Sequence, residues 1–204
     1  MQASKAAVSW SGGKDSYLAL HRSASSFNVC ALFTMFTEDG TRSRSHGLRP
    51  EVLKCQADLL NLPLVSDRAS WTGYEDEFKR GLRALASDGF SHVIFGDIFP
   101  DPSRAWAERV CHESGLEAVE PLWGEDTRAL LQEFLATGAE AKIVATNAKL
   151  LDQHWLGKQL TEELLPRFEV LGVDACGERG EYHTFVSVAP RMTGSMSLRE
   201  AGQL

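Results

Sequence analysis

The chain has 204 residues, 43% of them hydrophobic, and its formal net charge is −7. That length suffices for one sizeable core, and no apolar run reaches the roughly 18 residues that a membrane-spanning helix needs. The acidic balance argues against a large nucleic-acid partner, because nucleic-acid binding relies on clustered Lys and Arg. A strand predicted to begin at Lys5 leaves no room for a cleavable leader, so we expect a cytoplasmic protein without a membrane segment.

Apolar and amphipathic segments alternate through the first half of the chain. Strands that alternate with helices at this spacing favour a parallel sheet covered on both faces. We therefore predict an α/β fold built on a doubly wound, Rossmann-like parallel sheet. Its predicted strands are 5–10, 29–36, 62–65 and 92–95, and its predicted helices are 15–22, 50–60, 74–87 and 103–114.

The pattern changes near Pro121, where a second set of elements begins. We expect a boundary at this point between a first domain at 1–120 and a smaller C-terminal lobe at 121–204. The lobe is predicted to contain helices at 127–136 and near 158–165, and strands at 141–146 and 182–188.

A glycine-rich segment joins the first predicted strand to the first predicted helix. Its glycines let the backbone approach an anion, and the helix N-terminus favours negative charge. Lys14 adds a positive charge for phosphate oxygens, and Asp15 is the expected ligand of the Mg²⁺ that accompanies ATP. The kinase-type P-loop pattern is absent. The segment predicts an ATP-phosphate site made by Ser11, Gly12, Gly13, Lys14, Asp15 and Ser16.

Gly96 and Asp97 directly follow the strand predicted at 92–95. Ligands of open α/β sheets bind beyond the carboxyl ends of the strands. We therefore assign both residues to the predicted ATP site.

A polar, glycine-rich motif precedes the last predicted strand. Glu178 and Glu181 provide carboxylates for binding an ammonium group or taking protons from ammonia, and His183 titrates near neutral pH. The alternative is a structural polar turn. If the motif is functional, replacing either carboxylate is expected to change thermal stability little, because such a turn packs few side chains. The substrate-binding candidates are Glu178, Gly180, Glu181, Tyr182, His183 and Thr184.

Two features of the segment after the second strand stay open. His46 lies in a Ser-His-Gly loop, where a substrate contact and an ordinary loop histidine are equally compatible with the sequence. Arg42, Arg44 and Arg49 form a small basic cluster, for which a solvated loop is the expected interpretation.

The segment from Ser11 to Ser16 resembles the signature of the PP-loop ATP pyrophosphatases, an adenine-nucleotide α-hydrolase-like superfamily. The resemblance implies that the loop holds the β- and γ-phosphates as a pyrophosphate leaving group. The substrate would attack the α-phosphorus and become adenylylated, releasing pyrophosphate and then AMP, with Lys14 and Asp15 taking part in catalysis.

A second resemblance extends from about residue 5 to residue 190. The residues that look like the diphthine–ammonia ligase family are Gly96, Asp97, Ile98, Arg104 and the stretches 108–111, 121–123, 156–157 and 174–184. The resemblance implies a ligase that adenylylates a small-molecule or protein-borne carboxylate and forms an amide with ammonia, using Glu178, Glu181 and His183. It also implies that Arg104 is among the substrate-binding residues, and it is compatible with a homodimer.

Residues 99–106 resemble the bacterial branch of that family, in which diphthamide on elongation factor two is not expected. Membership of that branch would imply a different carboxylate precursor.

Two other functions are compatible with parts of the sequence. A tRNA-modifying enzyme on the same loop would be expected to have a basic surface and paired cysteines, whereas the four cysteines here form no C-x-x-C pair. A non-catalytic adenine-nucleotide sensor would be expected to lack the loop from Ser11 to Ser16.

Overall fold

The computed structural model describes residues 3–99 and 101–197. A five-stranded, wholly parallel sheet with strand order β3-β2-β1-β4-β5 forms its centre. This confirms the predicted α/β fold with a doubly wound parallel sheet. The strands are β1 (Lys5–Ser9), β2 (Asn28–Thr37), β3 (Leu64–Ala69), β4 (His92–Ile94) and β5 (Glu117–Val119).

Helices cover both faces of this sheet because successive residues of a strand point to opposite faces. Ala6 and Val8 of β1 pack into one hydrophobic cluster, and Ala7 packs into a second. The first cluster includes residues of α1 (Lys14–Ser23) and α2 (Pro50–Leu59), and the second includes residues of α3 (Tyr74–Ser87) and α4 (Asp101–His112).

Strand β1 pairs with β2 on one side and with β4 on the other. The chain therefore leaves β1 and β4 in opposite directions across the sheet, which opens a crevice beyond their carboxyl ends. The glycine-rich loop that follows β1 and the segment that follows β4 both lie at this crevice.

The C-terminal part adds α5 (Thr127–Ala136), β6 (Glu140–Thr146), α6 (Leu165–Leu171) and β7 (Tyr182–Val188). Strands β6 and β7 pair in antiparallel orientation. The Tyr17 ring of α1 meets the Phe134 ring of α5 edge-on with 6.1 Å between centroids. Residues on both sides of residue 121 belong to one hydrophobic cluster, and the division into 1–120 and 121–204 stays a prediction.

The sequence prediction was wrong at two elements. The helix predicted near 158–165 lies later, at α6, after a turn of 3₁₀ helix at Glu162–Leu164. Pro166 suits the first turn of that helix, whereas residues 157–160 hydrogen-bond along the free edge of β6. Strand β5 was not predicted, because three residues are too short to show a pattern. Among the described residues, no helix combines the length and apolar character that crossing a bilayer requires.

Candidate active site

A cavity of about 420 Å³ lies beyond the carboxyl ends of the parallel strands. It contains parts of the phosphate loop, the segment after β4 and the C-terminal motif, so regions far apart in sequence meet in one place. Gly12, Gly13, Arg104 and Glu181 are not among its lining residues. The sequence-predicted residues that line it are Ser11, Lys14, Asp15, Ser16, His46, Gly96, Asp97, Glu178, Gly180, Tyr182, His183 and Thr184.

Hydrogen bonds within the phosphate loop fix its shape at the start of α1. The Ser11 hydroxyl accepts the Gly13 amide at 3.2 Å and lies 3.1 Å from the Ser16 hydroxyl. Ser16 in turn donates to the Gly13 carbonyl at 3.0 Å. The loop therefore presents the N-terminus of α1 and two hydroxyl groups to the cavity, an arrangement suited to an anion.

The glycines near this loop are required by packing as well as by access for an anion. Gly12 has a φ of +82°, and a Cβ there would lie 2.6 Å from a methyl group of Leu53. A Cβ on Gly13 would overlap the His46 ring. At Gly96, a Cβ would lie 2.7 Å from the backbone carbon of Asp15, so the ends of β4 and the loop are in close contact.

Lys14 is buried, with 2% of its surface exposed, and its ammonium group has two partners. Its Nζ donates to Asp15 Oδ2 at 2.8 Å and to the Cys176 carbonyl. Burial by itself lowers the pKa of Lys14, but the combined electrostatic effects of Asp15, Cys176 and Tyr182, with the hydrogen bond to Asp15, outweigh it and hold that pKa above the usual value. Lys14 therefore carries a permanent positive charge at the wall of the cavity.

Strand β7 packs directly against the phosphate loop. The Lys14 amide donates to Thr184 Oγ1 at 3.0 Å, and the Val186 amide donates to the Gly12 carbonyl at 2.9 Å. Direct hydrogen bonds therefore join the phosphate loop to the C-terminal motif.

Gln56 is a fully buried residue that links this loop to β7, and the sequence analysis did not identify it. Its Nε2 donates to the carbonyls of Gly12 at 3.1 Å and Val186 at 2.7 Å, while its Oε1 accepts Trp10 Nε1 at 2.7 Å. A polar residue among apolar neighbours on the inner face of α2 was the available signal.

The two glutamates of the C-terminal motif have different surroundings. Glu181 is only 1% exposed, and its two carboxylate oxygens accept the Asp174 and Arg179 amides, each at 2.9 Å. Asp174 in turn accepts the amides of Cys176 at 2.8 Å and Glu178 at 3.3 Å. Because both oxygens of Glu181 bind backbone inside the turn, this geometry does not support the predicted catalytic and substrate-binding roles for it.

Glu178, by contrast, is half-buried and lines the cavity. Burial, followed by repulsion from Asp15, raises the pKa of Glu178 to about 7. Burial and Asp15 also raise the pKa of Asp97. The cavity therefore has an acidic side on which carboxylates destabilise one another's charge, a common property of functional sites.

His46 and His183 stack with 4.5 Å between their ring centroids. His46 Nδ1 lies 2.9 Å from the Thr184 carbonyl, which requires a proton on that nitrogen. Burial and the neighbouring His183 lower the pKa of His46 to about 3, and desolvation with Lys14 lowers the pKa of His183. Both rings are neutral near pH 7.

Three other residues of interest have mainly structural contacts. The Tyr182 hydroxyl donates to the Ala175 carbonyl at 2.5 Å. Cys176 Sγ donates to the Thr127 carbonyl at 3.2 Å, and burial raises the pKa of this thiol. Arg104 lies 2.9 Å from Glu108 and 3.4 Å from Glu120, so its predicted contact with substrate is not supported by its position.

The cavity also contains residues that the sequence analysis did not assign to the site. Arg44, expected in a solvated loop, lines it instead. An aromatic wall is formed by Phe78 with Phe33 and Trp106, at centroid distances of 5.2 and 5.0 Å. These side chains come from different elements, so no local pattern could indicate that they meet.

No group of three or more His, Cys, Asp or Glu in the described part of the chain could hold a metal ion. A Mg²⁺ that takes most of its ligands from ATP needs fewer protein carboxylates. Asp15 and Asp97 repel each other, and a dication would relieve that repulsion. These two residues therefore fit a Mg²⁺ that takes most of its ligands from ATP.

The sequence profiles of two families match most of the chain. One, described as the diphthamide synthase N-terminal domain, matches residues 4–118, and the other, the diphthamide synthase C-terminal domain, matches residues 126–203.

Proteins named diphthine–ammonia ligase are among the relatives. The one from Schizosaccharomyces pombe is 28% identical over 203 residues, which cover 88% of this chain and 34% of the relative. The one from Danio rerio is 39% identical over 48% of this chain and 40% of the relative. The one from Homo sapiens is 34% identical over 73% of this chain and 52% of the relative. The chain thus spans about a third to a half of these relatives.

A solved structure titled as a predicted subunit of tRNA methyltransferase from Methanocaldococcus jannaschii aligns with 95% of this chain and 100% of its own. Its TM-score is 0.48 at 17% identity, a likeness that bears on neither the fold nor the function of this chain.

Proposed function

The chain belongs to the diphthamide synthase family, and from this premise we propose that it is an ATP-dependent ligase that converts a carboxylate into an amide with ammonia. The observation that carries the proposal is the contact of Lys14, in the phosphate loop, with the C-terminal motif, through the Cys176 carbonyl and the Thr184 hydroxyl. That contact supports one cavity in which ATP and the acceptor meet.

In this proposal the loop from Ser11 to Ser16 and the N-terminus of α1 bind the phosphates of ATP. The backbone amides, the two serine hydroxyls and the charge of Lys14 then stabilise the pyrophosphate as it leaves. Asp15 and Asp97 would hold Mg²⁺, which supplies charge neutralisation for the phosphates.

The first step forms an acyl-adenylate. A carboxylate oxygen of the acceptor forms a bond to the α-phosphorus, and the bond from that phosphorus to the bridging oxygen of pyrophosphate breaks. Both electrons of the broken bond leave with pyrophosphate. The permanent charge on Lys14 supports this step, because it lies where negative charge accumulates on the leaving group.

The second step forms the amide. Ammonia attacks the acyl carbon, the carbon–oxygen bond to AMP breaks, and the attacking nitrogen loses a proton. A carboxylate with a pKa of about 7 is matched to receiving such a proton near neutral pH, so Glu178 is the proposed general base. Because His46 and His183 would be neutral, they would add no positive charge that repels ammonium as it approaches the cavity.

The acceptor is proposed from the relatives, whose names specify diphthine and ammonia. A carboxylate of another kind would undergo the same chemistry, and residues 99–106 imply such an acceptor by their resemblance to the bacterial branch. Pro100 of that segment lies outside the described residues.

The test combines purified protein with ATP, Mg²⁺, isotopically labelled ammonium and diphthine-bearing elongation factor two. Chromatography of the nucleotides and mass spectrometry of the acceptor are expected to show AMP and labelled amide in equal amounts. Asp15→Asn should reduce both, because it removes a proposed Mg²⁺ ligand. ADP and orthophosphate as the main nucleotide products would contradict the proposal, whereas AMP formed only with another carboxylate would change the acceptor alone.

A further inference from the structure

Arg44 carries a hydrogen-bond donor that is buried and unused. Its Nη2 is inaccessible to solvent and has no hydrogen-bond partner among the described residues. Among the side chains that the structure describes, no carboxylate forms an ion pair with Arg44, although Arg44 lines the cavity. A buried N–H without an acceptor is costly, so the arrangement is one that a bound group can complete.

The backbone and the neighbouring rings fix this guanidinium in place. The Arg44 amide donates to the Met35 carbonyl at 2.8 Å, next to the bridge that joins Phe36 to Ser43. The guanidinium carbon lies 3.7 Å from the centroid of the Trp71 ring and 5.7 Å from that of Tyr74. Arg44 is therefore held before any ligand arrives.

The charges of the cavity indicate what this donor binds. Among the residues that the structure describes, Lys14 and Arg44 are the two arginine or lysine side chains that line the cavity. Lys14 is already bound to Asp15 and to the Cys176 carbonyl, whereas Arg44 has a free donor. A planar guanidinium matches the two oxygens of a carboxylate better than an ammonium does. Because the acidic side of the cavity would repel a carboxylate, such a ligand would bind at Arg44 instead.

The position of Trp71 favours the acceptor over the nucleotide as the source of this carboxylate. Trp71 is 83% exposed although its ring covers the Arg44 guanidinium, so an acceptor carried on a protein can reach it. Tryptophan, tyrosine and arginine together are also the side chains most enriched at the energetic centres of protein interfaces.

We propose that Arg44, covered by Trp71 and flanked by Tyr74, binds the carboxylate of the acceptor and thereby selects an anionic substrate. The inference rests on the proposed ligase activity. Arg44 holds the carboxylate through its unpartnered Nη2 donor, while the loop from Ser11 to Ser16 holds the phosphates of ATP.

The first experiment measures KM and kcat for diphthine-bearing elongation factor two, together with calorimetric affinity for Mg²⁺-ATP, in Arg44→Ala and Arg44→Lys. The loss of a charge-assisted hydrogen bond predicts a rise in KM of about tenfold to a hundredfold for Arg44→Ala, with a smaller rise for Arg44→Lys and unchanged ATP affinity. Arg42→Ala is the matched control, because Arg42 donates to the Gly47 carbonyl outside the cavity lining. A KM unchanged in Arg44→Ala, or an ATP affinity lowered by the same factor, overturns the inference.

The second experiment needs no turnover and separates this inference from the proposed function. Acetate is titrated at constant ionic strength while tryptophan emission is recorded. A saturable change is expected in the natural protein and in Arg42→Ala, and its loss is expected in Arg44→Ala and Trp71→Phe. If the natural protein makes no amide but shows this pattern, the ligase proposal fails and the carboxylate site stands. If Arg44→Ala responds to acetate as the natural protein does, the carboxylate site is contradicted.

Discussion

The backbone amide of Lys14 donates to the side-chain oxygen of Thr184 at 3.0 Å, across 170 residues of chain. An amide in the first turn of α1, which has no partner within its own helix, is thus satisfied by the C-terminal motif. The phosphate loop and that motif therefore form one structural unit.

Replacing Thr184 with valine tests this link. The change keeps the shape but leaves the buried Lys14 amide without an acceptor, so unfolding free energy should fall by about 1–3 kcal/mol. ATP affinity should fall as well, because the start of α1 loses its support. Chemical denaturation and calorimetry measure the two effects, and Thr184→Ser, which keeps the hydroxyl, is the control. Equal unfolding free energies of the valine variant and the natural protein would show that this hydrogen bond does not contribute to stability.

Removing the charge of Lys14 tests the placement of the phosphates. Lys14→Ala should weaken ATP binding by about 1.5–3 kcal/mol, the range for a hydrogen bond to a charged group. Lys54→Ala is a suitable control, because Lys54 pairs with Asp58 on the surface. If calorimetry gives the same ATP affinity for Lys14→Ala and the natural protein, the phosphates bind elsewhere.

The phosphate loop was predictable because all its signals are local: a short apolar strand, two glycines and a helix start. Strand β7 was predictable for the same reason, since Tyr182–Val188 is one continuous segment rich in aromatic and β-branched residues. The role of Arg44 was not, because neither its missing partner nor the ring of Trp71 that covers it is visible in the pattern around residue 44.

The motif at 174–184 shows a different limit of sequence reasoning. Glu178 and Glu181 are alike in type and lie three residues apart, so the pattern assigns them the same chemistry. The backbone of the turn directs the Glu178 carboxylate toward the cavity, whereas it directs the Glu181 carboxylate toward the Asp174 and Arg179 amides. Only the three-dimensional path of the backbone distinguishes them.

Glu181→Gln should therefore reduce stability, contrary to the expectation from sequence that it would change little. An amide offers one acceptor oxygen where the carboxylate offers two, so one of the two backbone N–H groups is left unpaired, at a cost of about 1–3 kcal/mol. We expect kcat to fall through misplacement of Glu178, with ATP affinity largely kept. A variant that melts like the natural protein but has lost turnover would instead support direct catalysis by Glu181.

Glu178→Gln should instead increase stability, and the increase should depend on pH. The folded-state pKa of Glu178 is about 7, against an ordinary value of 4.5, so the folded protein keeps this proton longer than the unfolded chain does. Its contribution to stability is complete below about pH 4.5 and is lost as the pH rises through about 7.

Glutamine has no proton to lose, so the melting temperature of the variant relative to the natural protein should rise between about pH 5 and pH 8. Amide formation should fall by roughly 100-fold, as expected for a general base. Glu51→Gln, an exposed site in the first turn of α2, is the control for charge removal. A difference in melting temperature that does not vary with pH would contradict the raised pKa.

The most direct test of one site that activates a carboxylate with ATP follows an oxygen atom. The acceptor carboxylate is labelled with heavy oxygen, and the AMP formed during a single turnover is analysed by mass spectrometry. Attack of the carboxylate on the α-phosphorus predicts one labelled oxygen in the phosphate of AMP and none in pyrophosphate. Unlabelled AMP, or label recovered in orthophosphate together with ADP, would contradict the account.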